Sequence, residues 1–184
     1  MVFLNPELGF AETKTSSLVS EKLDELGVVC ETGIALTGVK GFFEGAFDGP
    51  TAAVIGEMDA LPVLGHPHTD ADTSLAHACG HHYQIAVMLG VAVTLPVPEV
   101  LDGLTGKVSM MAVPVEELID VEYRLALREE GKIVFLFGKQ ELIRLGHFDD
   151  VDVALMIHTS ASQDGSNFSV GETTNAHLAK YVHF

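Results

Sequence analysis

Three continuous apolar runs, each ending on polar or charged chemistry, constrain the fold of this chain more than any other feature. Residues 51–58 read as an apolar strand whose end carries Glu57 and Asp59. Residues 107–113 read as a buried strand, followed by Pro114, Glu116 and Glu117. Residues 151–157 form a third strand that ends directly on His158. None of the three alternates apolar with polar residues. Uninterrupted apolar strands are those covered on both faces, as in the parallel sheets of α/β proteins.

Helical stretches lie between these strands. Residues 7–26 read as a helix, with Leu18, Val19, Leu23 and Leu26 at helical spacing and Gly27 as the stop. Residues 82–95 carry Ile85, Met88, Leu89, Ala92 and Leu95 on one face, and Pro96 and Pro98 break the run. Residues 116–130 and 139–145 read as two further helices. Residues 28–34 and 39–47 read as strands, 48–50 as a turn, 62–76 as a polar loop and 173–184 as a final strand. The expected architecture is an α/β three-layer sandwich with a mixed, largely parallel sheet. In such sheets a ligand site lies outside the carboxyl ends of the strands. Glu57, Asp59, Glu116, Glu117 and His158 should therefore gather at one sheet edge.

Composition narrows the partners. The 184 residues are enough for one domain, and 47% of them are hydrophobic, which argues against disorder. The formal charge of -16 argues against nucleic acid and anionic membrane, both of which require a basic face. No run approaches the ~20 apolar residues of a membrane span. The first residues carry no signal peptide, so a cytoplasmic protein is expected. With two cysteines, Cys30 and Cys79, the chain is not a disulfide scaffold. Cys30 lies in an apolar stretch and reads as a small core residue.

Cys79 lies in His77-Ala78-Cys79-Gly80-His81-His82, which packs three imidazoles and a thiol into six positions. Imidazole and thiolate are the usual ligands of zinc and its neighbours. Gly80 allows the turn that lets Cys79 and His81 face one ion. The competing reading is a polar loop with solvated histidines. Glu116 and Glu117 can divide labour, one binding metal and the other accepting a proton from water, or they can be the acidic first turn of a helix. Asp59 can ligate metal, orient a ligand histidine or cap a turn. His158 can be a ligand or an ordinary strand-end histidine. His66 and His68 read as surface residues. Phosphate-binding glycine loops and the serine nucleophile elbow are absent from the sequence.

Taken together, the pieces resemble the M20 family of metallopeptidases, in particular its amidohydrolase and aminoacylase branch. The matching segments come in family order: Asn5-Pro6-Glu7-Leu8-Gly9-Phe10, Thr37-Gly38-Val39, Met58-Asp59-Ala60-Leu61-Pro62, His77-Ala78-Cys79-Gly80-His81, Pro114-Val115-Glu116-Glu117 and Ile157-His158. The resemblance implies a centre of two divalent metals, zinc or manganese, held by Cys79, His81, Glu117 and His158. Glu116 matches the family's general base, and Asp59 its motif aspartate. The implied substrate is an N-acylated amino acid or similar small amide, cut to a carboxylate and an amine. The rival readings are a dipeptidase or carboxypeptidase of the same family and a non-catalytic metal-binding fragment. The chain departs from the family pattern at His82 and Gln84, where an aspartate and a further histidine are usual. The stretch from Glu117 to His158 is also longer than in the commonest members. Residues 1–184 are expected to be part of the catalytic domain. The lid or dimerisation domain, a last ligand histidine and the homodimer of the full-length family protein would lie beyond it.

Overall fold

The computed structural model describes residues 2–159. After a 3-10 turn at Val2–Leu4 come helix α1 (Thr13–Glu25) and strands β1 (Cys30–Ile34), β2 (Gly38–Glu44) and β3 (Phe47–Glu57). The short strands β4 (Leu61–Pro62) and β5 (Leu75–Ala76) bracket the polar loop and pair with each other. Then follow α2 (His81–Thr94), α3 (Pro98–Leu101), β6 (Thr105–Val113), α4 (Val121–Glu129), α5 (Gly138–Arg144) and β7 (Val153–Met156).

The main sheet has the order β1-β2-β6-β3-β7. Its first two pairings are antiparallel, while β6, β3 and β7 run parallel. The expected α/β fold with a mixed sheet is present, and the parallel half is the half that carries the chemistry. Because β6, β3 and β7 share a direction, their carboxyl ends emerge side by side. Glu57 pairs in register with Val113, so the chain leaving β3 and the chain leaving β6 run next to each other.

Alternation along β6 builds the two faces. Val108, Met110 and Ala112 point toward α1 and α2, where Val19, Leu23, Ile85, Met88 and Ala92 meet them together with Val39 and Phe43. Met111 and Val113 point the other way, onto Leu127 of α4, Leu142 of α5 and Ile133, joined by Ala53 and Ile55 of β3. Each such side chain contributes about 1.5–3 kcal/mol on burial. This explains why β6 shows no polar/apolar alternation: it is the central strand between two helical layers.

Three boundaries differ from the sequence expectation. Helix α1 begins at Thr13, not at residue 7, because the Glu7 carboxylate accepts the amides of Lys14 and Thr15 and the Thr15 hydroxyl. Residues 7–12 are not helical; the Glu7 carbonyl accepts the Ala60 amide and the Glu12 carboxyl accepts the Val115 amide, both at 2.8 Å. Asp48-Gly49-Pro50 is not a turn but part of β3, where the pairing register with β6 shifts between Phe47 and Thr51. Such an irregularity tolerates a proline without an amide donor. The helix expected over 116–130 begins only at Val121, because the amides of Glu116 and Glu117 are committed elsewhere. The strand expected at 173–184 lies outside the described residues.

The approach of α5 to the end of β6 depends on one glycine. A Cβ on Gly138 would lie 1.7 Å from the Pro114 carbonyl oxygen, while its amide donates to Val115 O at 2.9 Å. Gly138→Ala is expected to cost at least about 1–3 kcal/mol, the usual range for overpacking. Urea denaturation checks this, and an unchanged midpoint would contradict it.

Candidate metal centre

The end of β3 supplies Glu57 and, two residues on, Asp59, both fully buried. The end of β6 leads through Pro114 and Val115 to Glu116 and Glu117. The loop before α2 brings Cys79, and His81 is the first residue of that helix. The chain leaving β7 brings His158 two residues later. Gly80 caps α2 at φ 101°, a left-handed conformation, and a Cβ there would lie 2.5 Å from the Thr159 hydroxyl. That glycine therefore permits both the turn after Cys79 and the close approach of the His158 segment.

The donor atoms converge. Cys79, His81 and His158 each offer a ligand atom within 4.8 Å of the others. Cys79 Sγ lies 3.4 Å from His158 Nε2. The Nδ1 of His158 meets the Thr159 carbonyl at 2.7 Å, which leaves Nε2 turned toward the thiol. His81 is arranged alike: its Nδ1 meets the Asp59 carbonyl at 2.8 Å and Asp59 Oδ1 at 3.0 Å. Its Nε2 faces inward, 3.1 Å from Glu57 Oε2 and 3.8 Å from Glu116 Oε2, yet makes no directed hydrogen bond among the described residues. Two imidazoles tied back through Nδ1 and presenting Nε2 to one space is how ligand histidines are oriented. A buried, unbonded nitrogen beside a thiol and carboxylates fits a divalent transition metal.

The electrostatics agree. The Cys79 thiol is pushed up to about 12, first by burial and then by Glu117, Glu116 and Glu57. Burial and the Glu57 charge also raise Glu116. Burial opposes a charged His81, but Asp59 and Glu57 outweigh it and hold the imidazolium up to about 10. Burial likewise opposes a charged Glu57, yet His81 and Lys139 keep it ionised, at about 2. Without a metal, a proton on His81 thus offsets the surrounding carboxylates, and the thiol stays protonated.

Asp59 organises the loop after β6. Its Oδ2 accepts the amides of both Glu116 and Glu117 at 2.9 Å, while its other oxygen faces His81. All six residues singled out in the sequence (Asp59, Cys79, His81, Glu116, Glu117 and His158) therefore meet at one place. The other motif histidines do not join. His77 is buried against His82, ring centroids 5.4 Å apart, and burial together with the His82 and His81 charges depresses it to about 4. His68 is exposed and His66 half-buried.

Three supporting side chains escaped the sequence reading. Gln84, one turn into α2, accepts the Glu57 amide at 2.9 Å and donates to Glu57 Oε2 at 3.0 Å. Lys139 of α5 pairs with Glu57 Oε1. Arg124 of α4 donates to the Glu117 carbonyl. Only the position of Gln84 one turn after His81, on the buried face of α2, hinted at such a role.

No family model matches the chain. Individual relatives do. The thermostable carboxypeptidase 1 of Saccharolobus solfataricus is 34% identical over 170 residues, covering 89% of this chain and 38% of that protein. The N-acetyl-L-cysteine deacetylase of Bacillus subtilis is 34% identical over 156 residues, covering 83% of this chain and 33% of that protein. Among solved structures, the YXEP protein of Bacillus subtilis, a dinuclear metal-binding peptidase of the M20 family, superposes with a TM-score of 0.65 at 25% identity, over 83% of this chain and 39% of that one. The chain belongs to the M20 family. It spans about two fifths of the length of the curated M20 relatives it matches first, 38% and 39%. The sheet is thus that of an M20 catalytic domain, and divalent metal is its cofactor class.

Metal uptake must displace the protons that now compensate the site. Cys79, at about 12, and His81, at about 10, are both protonated at neutral pH and, as candidate ligands, would both have to lose a proton to bind metal. Binding should therefore release about two protons, and affinity should rise on the order of a hundredfold per pH unit below the His81 value. Calorimetry in buffers of different ionisation enthalpy measures this, and uptake without proton release would contradict it.

Proposed function

We propose that this chain forms part of a metal-dependent amidohydrolase that cleaves the amide bond of N-acylated amino acids or similar small amides. The observation that carries the reading is the convergence of Cys79, His81 and His158 beside Glu116 and Glu117. Cys79, His81, Glu117 and His158 would hold a pair of divalent ions. A set with a thiolate and two imidazoles favours zinc, and the carboxylates also suit manganese. Bound there, metal supplies Lewis-acid polarisation of the amide carbonyl and a lowered pKa for water.

The chain's own residues do the rest. Glu116, with one edge 3.8 Å from His81 Nε2 and 39% of its side chain exposed, takes a proton from the attacking water and returns it to the leaving nitrogen. Its raised pKa brings it closer to neutrality, which suits a group that must both accept and donate. Asp59 fixes the positions of Glu116, Glu117 and His81 and need not itself transfer a proton. A free thiol ligand requires a reducing compartment, and the cytoplasm is the compartment proposed.

A second reading, a carboxypeptidase, is favoured by the name of the archaeal relatives. A panel of N-acyl amino acids against unblocked and blocked peptides separates the two by relative kcat/KM. In the zinc- or manganese-loaded protein, Glu116→Gln should lower kcat about 10²–10⁴-fold and leave metal content unchanged. Glu117→Gln should lower metal content, and Cys79→Ser with His81→Ala should abolish it. Near-normal turnover in Glu116→Gln would place the base elsewhere, and full metal content in the double variant would remove the assignment.

A further inference from the structure

We propose that Arg124 is a second positioning residue, beside Asp59, that fixes the Glu116–Glu117 segment for its roles, a proposal that rests on the reading of those two as base and ligand. Arg124 sits near the start of α4, is 1% exposed and is among the largest side chains with under 2% exposure. One guanidinium nitrogen donates to the Glu117 carbonyl, and the other donates to the Leu136 carbonyl at 3.1 Å. The group thus ties the loop after β6 to the segment that precedes α5. Asp59, Glu12, Asp120 and Glu117 all bear on it electrostatically.

The loop it holds is strained and needs holding. Val115 has φ 38° and Asp120 φ 50°, and for a β-branched residue such as Val115 that conformation is a genuine outlier. Strain of this kind persists only where the surroundings over-determine it. The amides are held by side-chain carboxyl groups: Val115 N–H by buried Glu12 at 2.8 Å, and Glu116 and Glu117 N–H by Asp59. The Val115 carbonyl is held by the Gly138 amide. Arg124 completes the set from the acceptor side, at Glu117 itself. Its planar fork reaches two carbonyls from different segments, which an ammonium point charge does less well.

Stability alone does not call for it. Burial works against the charged guanidinium, and its Nε finds no partner among the described residues. An apolar side chain of similar volume would often serve folding as well or better. What the guanidinium adds is a fixed direction for the backbone that carries both carboxylates.

The test uses the full chain with Arg124→Met, Arg124→Lys and, as a control, Val19→Ala in the core of α1. Two readouts are followed: hydrogen exchange at the Glu116 and Glu117 amides, and cobalt(II) affinity from the thiolate-to-cobalt charge-transfer band. Both Arg124 variants should lose protection at those two amides while β6 keeps its own, and cobalt affinity should fall about 10–100-fold. Val19→Ala should lower the unfolding midpoint without moving either readout. Should Arg124→Met not fold, Arg124→Lys decides alone. Unchanged amide protection and cobalt affinity in Arg124→Lys would overturn the proposal. Amide protection lost in variants of a parent that takes up no cobalt would uphold the clamp and remove the metal reading instead.

Discussion

The site depends on one carboxylate. Asp59 stands just beyond the end of β3, and its two oxygens divide their work between two other elements. One oxygen takes the amides of Glu116 and Glu117, and the other faces Nδ1 of His81. It can do both only because β3 and β6 are parallel and paired in register, and because α2 returns across the same edge. A buried carboxylate with two charge-assisted amide bonds is a strong restraint. Neither carboxylate of the pair is free to enter a helix, and the imidazole is locked in the orientation that turns Nε2 inward.

Around that restraint the protein gathers more negative charge than it neutralises. Glu57, Asp59, Glu116 and Glu117 surround His81 and the neutral Cys79 thiol, with Lys139 and Arg124 as the fixed cations. Burial first, and then these charges, drive the thiol far above its ordinary value of 9.0, and Asp59 and Glu57 hold the imidazole above 6.5 against burial. Such a site stores the free energy that a divalent cation would recover. The same feature that keeps the metal-free state compensated by protons makes metal uptake and proton loss one event.

Much of this was legible in the sequence, for identifiable reasons. Apolar runs without alternation pointed to strands covered on both faces; β6 is such a strand, whereas β7, the edge strand, is exposed along its length among the described residues, so its run of apolar residues does not mark a covered strand. The residues just past the ends of β3, β6 and β7 were readable as a cluster because parallel strands deliver their termini to one edge. What the sequence could not reveal was the use of polar side chains at a distance. Glu7 caps a helix that begins six residues later, so helical spacing overran its true start. Glu116 and Glu117 looked like a helix's acidic first turn, but Asp59, more than fifty positions earlier, claims their amides. Gln84, Lys139 and Arg124 lie on ordinary amphipathic helices. Periodicity marks which face is inward but not which inward side chain meets a carboxylate.

The central claim is that a thiolate and two imidazoles from two separate segments bind one ion. X-ray absorption spectroscopy of the zinc-loaded chain tests it directly. The account predicts one sulfur neighbour at about 2.3 Å together with nitrogen and oxygen neighbours at about 2.0–2.2 Å, the sulfur contribution vanishing in Cys79→Ser. A shell of nitrogen and oxygen alone in the unsubstituted chain would contradict it.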